Sequence, residues 1–559
     1  MASTPPNLIR GLLRACLGAR YLAHTSMLRR AWKPVVATVV VGTPAYIYYS
    51  KYYASAPPTF DLPVRVKGPT GKSEMVSRTF SLLSGKEVED RIRGNATSET
   101  QARPDGITWK YTTASLASND PIEDANATQI VQRDASDPSY PGDYLFFAVM
   151  DGHGGYETSR LLSRILIQGV ALELSALVKD PKAAAQPGLL SRVTSLLWPT
   201  SPRAPLDADP ARVSQAIEQA FTKLDTELLS TPLRVLANSM SQENWKTKSI
   251  PDLSQHPLGL TSMLPAISGS CALLAVFDTS HRDLYVACTG DSRAIAGVWE
   301  PSSDGQGQWR VEVLTEDQTG RNPSELARIR SEHPKDEEDY VIREGRVLGG
   351  LEPTRAFGDA RYKWPRAVQE TLNEAFMMGN GTPMRPPPSL FKTPPYVTAR
   401  PVVTHRKMSL LPTAGGSEPS ERRHRFLVLA TDGLWDQLSN DEVVGLVGGH
   451  LAGLKGTIPK SELPDLVPTS SGAQGVNGKK KASGGSKEGS WAFADDNLSA
   501  HLIRNAFGGG DQIALRRLLS IPAPYSRRYR DDVTVTVVCW EEGKEREAQI
   551  VTEKARPKL

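Results

Sequence analysis

An α+β fold assembled on antiparallel strands is the class this 559-residue sequence predicts, and two observations predict it. Apolar runs rich in Val, Leu, Phe and Cys occur at 145–150, 271–277, 284–289, 426–431 and 533–540, the composition of buried strands. Their polarity is also ordered. Three runs lead directly, or after one glycine, into Asp151, Asp291 and Asp432, whereas Asp531 and Asp532 stand just before the last run. If three strands run toward a common edge and the last runs away from it, the last pairs antiparallel and every one of these aspartates falls at that edge. The first run breaks at Asp151-Gly152-His153-Gly154-Gly155 and resumes as a helical pattern, so strands and helices share one domain.

The segments follow in chain order. No Asp or Glu precedes Asp61, and Arg10, Arg14, Arg20, Arg29, Arg30 and Lys33 are interleaved with Leu, Ala, Ser and Thr, so residues 1–33 have the make-up of a mitochondrial transit peptide. Residues 34–50 are uncharged, reach the lower limit for a bilayer span, about 17 residues, and are flanked by Lys33 and Lys51. They read as an inner-membrane anchor or sorting segment, or as the tail of a cleaved presequence. Residues 51–105, polar and interrupted by Pro57, Pro58, Pro63 and Pro69, read as a linker with one helix near Val88. The folded domain is then expected over 106–545, with Pro/Gly/Ser-rich loops and a Lys/Gly/Ser-rich low-complexity insertion at about 456–495, followed by a tail at 546–559. The chain ends in Pro557-Lys558-Leu559, which resembles the peroxisomal Ser-Lys-Leu terminus and makes a second address conceivable.

Composition excludes several classes. A net charge of +4, much of it at the N-terminus, argues against nucleic-acid binding across the body of the chain, and Lys479-Lys480-Lys481 reads as a solvated loop. Cys16, Cys271, Cys288 and Cys539 form neither a CxxC pair nor a regular spacing, so neither a disulfide framework nor a zinc site is indicated; three of them read as packing residues in strands.

The aspartates at the strand ends carry the chemistry. One carboxylate at a strand end is ordinarily a turn residue, but four with the same placement are not explained that way. Clustered carboxylates repel one another and are costly to bury unless a cation balances them, and oxygen donors without thiolate or imidazole select Mg²⁺ or Mn²⁺ over Zn²⁺. Glycine follows two of them, in Asp151-Gly152 and Asp432-Gly433, where it permits close approach and leaves the Gly152 carbonyl available as a further ligand. Two such ions would polarise a bridging water and neutralise a phosphoryl group.

The ordered motifs NDPIEDA, VMDGHGG, SGSCALLAV, YVACTGDSRA, TRAFGD, VLATDGLWDQLS and RDDVTVTVV, from about Ser115 to Trp540, resemble the metal-dependent Ser/Thr protein phosphatases (PPM, or type 2C). QTGRNPSELARIRSEHP followed by GRVLGGLEPTRAFGDARYKWP resembles the pyruvate dehydrogenase phosphatase branch and its mitochondrial relatives. The resemblance implies a central sandwich of two antiparallel β-sheets flanked by helices. It implies that Asp151 bridges two metals with the Gly152 carbonyl on one of them, that Asp432 and Asp531 ligate the other, and that Glu123 and Asp124 bind directly or through metal-bound waters. Asp291 matches the residue that, with Asp432, holds a weaker third ion, and Asp436 would support the ligands by hydrogen bonding or else cap the next helix.

His153 is assigned protonation of the leaving serine or threonine oxygen. Many family members place a phosphate-gripping arginine four residues before the Glu of the Glu-Asp pair; here that position is Asn119, an uncharged donor to phosphate. Cys271 stands where Thr is commoner and is expected to alter packing alone, Asp359 is expected to be structural, and Arg355 to pair with an acidic neighbour. The expected activity is hydrolysis of phosphoserine or phosphothreonine by a water shared between two Mg²⁺ or Mn²⁺ ions, without a phosphoenzyme, on phosphoproteins such as the pyruvate dehydrogenase complex. Two alternatives stand beside it: an inactive phosphoprotein-binding pseudophosphatase, and a phosphatase of peroxisomal or intermembrane-space proteins. Any regulatory subunit is left open.

Overall fold

The computed structural model describes residues 58–67, 73–103, 106–137, 139–179, 206–302, 307–408, 423–470 and 488–542. The expected transit, membrane and C-terminal segments lie outside these. The chain divides into two units, Met1–Leu82 and Leu83–Leu559. The described part of the first is an antiparallel hairpin of β1 (Thr59–Lys67) and β2 (Ser73–Ser81), with Thr59 opposite Ser81 and Lys67 opposite Ser73.

Among the strands of the second unit are β3 (Thr97–Ala102), β4 (Ile107–Leu116), β5 (Ala125–Gln132), β6 (Asp143–Met150), β7 (Gly152–His153), β8 (Gly269–Ser270), β9 (Ala272–Asp278), β10 (Asp283–Thr289), β11 (Arg293–Pro301), β12 (Gly307–Val313), β13 (Phe357–Gly358), β14 (Val402–Lys407), β15 (Arg423–Ala430), β16 (Thr469–Ser470) and β17 (Val533–Glu542). Two sheets dominate. One has the order β14-β10-β9-β6-β5, the other β16-β12-β11-β15-β17-β4-β3, and neighbours are antiparallel except for the parallel pair of β12 with β16. β17 pairs antiparallel with β15, Ala430 opposite Val535, so the end of one strand meets the start of the other.

Alternation explains why the sheets stack. In β6, Leu145, Phe147 and Val149, with Leu273 and Phe277 of the neighbouring β9, face the other sheet, which contributes Leu429 and Trp540 to the same core, while Phe146, Ala148 and Met150 face helices. Trp109 and Phe277 meet edge-on at 4.9 Å, and Phe277 meets Trp540 at 5.4 Å. Each such fully buried aromatic is worth roughly 1.5–3 kcal/mol in transfer from water. The helices of the unit include α1 (Gly85–Arg93), α2 (Glu157–Lys179), α3 (Pro210–Ser239), α4 (Pro323–Glu332), α5 (Asp432–Trp435), α6 (Asn440–Leu451) and α7 (Leu498–Phe507). α2 and α3 cover the outer face of the five-stranded sheet through Leu162, Leu166, Val170, Ile217 and Phe221. α6 and α7 cover the seven-stranded sheet through Val443, Val447, Leu502 and Ile503. The result is the helix-flanked sandwich of two antiparallel sheets that the sequence led us to expect.

Two boundaries are corrected. The supposed linker at 51–105 contains the β1–β2 hairpin, α1 and β3. α1, around Val88 as expected, starts at a Ser84–Glu87 capping box and buries Val88 and Ile92, and the polar β3 is an edge strand. Exposed edge strands lack the apolar run that betrays central ones. The low-complexity insertion is narrower than 456–495: Gly456–Pro459 pairs with Ser490–Phe493, and Trp491 and Phe493 are buried in the core beneath α6 and α7.

Candidate functional site

Three strand ends deliver the acidic cluster. Asp151 follows β6, Asp291 follows β10 through Gly290 at φ 110°, and Asp432 begins α5 at the end of β15. One carboxylate oxygen from each of Asp151, Asp291 and Asp432 lies within 4.8 Å of the others. The Asp432 N–H donates to Asp151 Oδ2 at 3.5 Å. Burial, then the charges of Asp432, Asp124, Asp291 and Asp531, push the Asp151 carboxyl well above the usual carboxylate range. Burial and Asp432 push Asp531 up as well. Asp124 is raised by burial and by Asp532; its Oδ2 accepts from Thr431 Oγ1 at 2.9 Å, while its Oδ1 is buried without a hydrogen bond. A site that gathers this many oxygens, repels its own charges and leaves a buried carboxylate oxygen unmatched fits hard divalent cations.

The glycines have steric reasons. A Cβ on Gly152 would lie 2.1 Å from the Glu123 carbonyl oxygen, and one on Gly433 would lie 2.1 Å from that of Asp532. Each Asp-Gly pair thus admits the backbone of another acidic segment. Gly154 and Gly155, at φ +67° and +131°, make the turn that returns the chain, and the Gly155 N–H donates to Glu123 Oε1 at 2.8 Å. The Ser159 hydroxyl donates to the Glu123 carbonyl.

His153 lies in a small three-stranded clip, β7 against β8 against β13. Its Nε2 is 2.7 Å from Asp359 Oδ2. Asp359, expected to be structural, is thus the partner of the imidazole. It sits at φ 51°, an uncommon conformation for a side-chain-bearing residue and of the kind concentrated at functional sites. A Cβ on Gly269 would strike both His153 and Asp359, so this glycine makes room for the pair. Burial lowers the His153 pKa, but the Asp359 charge and hydrogen bond outweigh it and the net shift is upward.

Several roles were not foreseen. Asp532, which the sequence pairs with Asp531, accepts from the N–H groups of Ser118, Asn119 and Glu123 and from Asn119 Nδ2, stapling the 118–123 loop to the start of β17. Asn119 donates its amide to Asp532 at 2.8 Å and to Glu123 at 3.2 Å, so the donor expected to meet phosphate is engaged inside the protein. Arg527, four residues before Asp531, reaches Glu123 Oε2 at 3.1 Å and Asp531 Oδ2 at 3.3 Å. The Cys271 thiol donates to Asp291 Oδ1 at 3.2 Å, a contact beyond mere packing. Asp436 follows α5, and the cap of α6 is Ser439, not Asp436. Arg355 pairs with Glu325, Nη2 to Oε1 at 2.7 Å, as expected. The sequence signal for Asp532 was adjacency to Asp531, and for Arg527 only its place four residues before it.

Comparison with known proteins agrees with this geometry. Residues 211–455 match the family model described as Protein phosphatase 2C. The chain is 35% identical over 476 residues to pyruvate dehydrogenase (acetyl-transferring) phosphatase 1, mitochondrial, of Saccharomyces cerevisiae, covering 82% of this chain and 73% of that protein. It is 35% identical over 438 residues to a protein phosphatase 2C homolog of Schizosaccharomyces pombe, covering 78% and 81%. It is 31% identical over 498 residues to pyruvate dehydrogenase (acetyl-transferring) phosphatase 2, mitochondrial, of Homo sapiens, covering 82% and 83%.

Proposed function

Because the chain belongs to the protein phosphatase 2C family and is a metal-dependent protein serine/threonine phosphatase, we propose that the acidic cluster is its catalytic centre. In this reading Asp151, the Gly152 carbonyl, Asp432 and Asp531 would hold two Mg²⁺ or Mn²⁺ ions, Glu123 and Asp124 would contribute directly or through water, and Asp291 with Asp432 would hold a weaker third ion. When bound, the ions supply an activated water and offset the charge that develops on the phosphoryl group.

The chain's own groups do the rest. His153, held by Asp359, delivers a proton to the departing serine or threonine oxygen, and Asp359 keeps the imidazole oriented. Gly152 and Gly433 let the Glu123 and Asp532 segments close on the cluster. Among the described cysteines, Cys271, Cys288 and Cys539 are buried thiols pushed up by burial, which does not suit nucleophilic attack.

The carrying observation is the meeting of Asp151, Asp291 and Asp432 oxygens within 4.8 Å. The names of the relatives point to the pyruvate dehydrogenase complex as substrate and to mitochondria as location, and the transit-like residues 1–33 support that compartment. Deleting 34–50 or the last three residues and imaging the product tests anchoring and any peroxisomal share. The activity is tested by phosphate release from a phosphothreonine peptide. We expect release with Mn²⁺, none with chelator, and collapse in Asp151→Asn and Asp432→Asn; full activity in chelator would overturn the reading.

A further inference from the structure

We propose that Arg527 grips the phosphoryl group of the substrate, supplying from the opposite end of the chain the cation that position 119 lacks. This deepens the phosphatase reading and rests on it. Asn119 is short and uncharged, and its Nδ2 is already bonded to Glu123 and Asp532. Arg527 arrives at the same point: its Nη1 donates to Asn119 Oδ1 at 3.4 Å and to Glu123 Oε2 at 3.1 Å, and its Nη2 reaches Asp531 at 3.3 Å. It therefore stands beside the residue it replaces and between two candidate metal ligands.

Two further features suit phosphate. A guanidinium has five N–H donors in a planar fork, these contacts engage three of them, and the side chain is 43% exposed. The backbone beneath is fixed to the Asn119 loop: Ser526 Oγ donates to the Ser118 carbonyl at 2.5 Å, Ser118 Oγ to the Arg530 carbonyl at 2.8 Å, and Arg530 Nη1 to the Ala117 carbonyl at 2.6 Å. Such anchoring holds the fork in position before substrate arrives. A phosphate monoester dianion beside the cluster would meet one fixed guanidinium.

The competing role is charge balance alone, in which Arg527 merely offsets Glu123 and Asp531. The full-length chain with Mn²⁺ separates the two. We expect Arg527→Gln to raise both KM for a phosphothreonine peptide and the inhibition constant of inorganic phosphate by about 10- to 100-fold, the scale of a lost charged hydrogen-bond pair. The Mn²⁺ concentration for half activation should stay put. Arg527→Lys should recover part of the loss, and adding Asn119→Arg to Arg527→Gln should restore phosphate affinity, read also by calorimetry of phosphate binding. An unchanged phosphate constant in Arg527→Gln, or a loss that follows a higher Mn²⁺ requirement, overturns the proposal. An inactive wild type would defeat the phosphatase reading itself, whereas an active wild type with an unaffected variant defeats the role of Arg527 alone.

Discussion

At the residue scale the account turns on His153 and the carboxylate beside it. General-acid help is worth about 10²–10⁴ in rate and matters most when the leaving group is a poor one. His153→Ala is therefore expected to lower kcat on a phosphothreonine peptide by about a hundredfold or more, and on p-nitrophenyl phosphate only several-fold. Asp359→Asn should show the same substrate-dependent bias to a smaller degree, because it removes the charge 2.7 Å from Nε2 and leaves the imidazole in place. Equal losses on both substrates would make His153 a structural residue. His153 was legible in the sequence through Asp-Gly-His-Gly-Gly, but Asp359 was not, since the two are 206 positions apart and meet only through the β7–β8–β13 clip.

At the scale of elements, the Asp-Gly pairs are close contacts between chain segments. Gly152→Ala and Gly433→Ala each place a Cβ 2.1 Å from a backbone carbonyl oxygen and are expected to cost roughly 1–3 kcal/mol in urea unfolding. Gly85→Ala, whose Cβ meets nothing within 4 Å, should be neutral or slightly stabilising. The α4 region offers a pH test. Burial raises the Glu325 carboxyl, but Arg355 and Arg328 outweigh it and hold the pKa at about 2, from 4.5. The contribution of this depressed acid is complete above about 4.5 and fades as pH falls toward 2. Glu325→Gln should consequently lower stability at pH 6 and narrow its gap from wild type at pH 3; a constant gap would contradict the pairing. Central strands were readable from their apolar runs, and α1 was expected near Val88. Edge strand β3, with Thr, Ser, Glu and Gln facing solvent, carries no such pattern, and the β1–β2 hairpin hid behind prolines.

At the scale of the whole molecule, the strand directions inferred from aspartates at run ends anticipated how the sheets meet. The Asp532 staple and Arg527 escaped because contacts across more than 400 positions depend on the closed sandwich. The same closure has an energetic consequence. Without cations, the raised carboxyl groups of Asp151 and Asp124 favour the protonated form, so folding stability is expected to fall as pH rises from about 3.8 through their elevated values. Divalent ions should reverse this and raise Tm, by an amount equivalent to about 2.7 kcal/mol at a hundredfold excess over Kd. Asp151→Asn should lose most of that ion-dependent shift.

The most direct measurement is calorimetric titration of Mn²⁺ into the chelator-stripped chain. The account expects two ions bound per chain in the wild type, neither held tightly in Asp151→Asn, and one weakened selectively in Asp432→Asn. No saturable binding in the wild type, or the same two ions retained in Asp151→Asn, would contradict the claim that these strand ends build a shared metal centre.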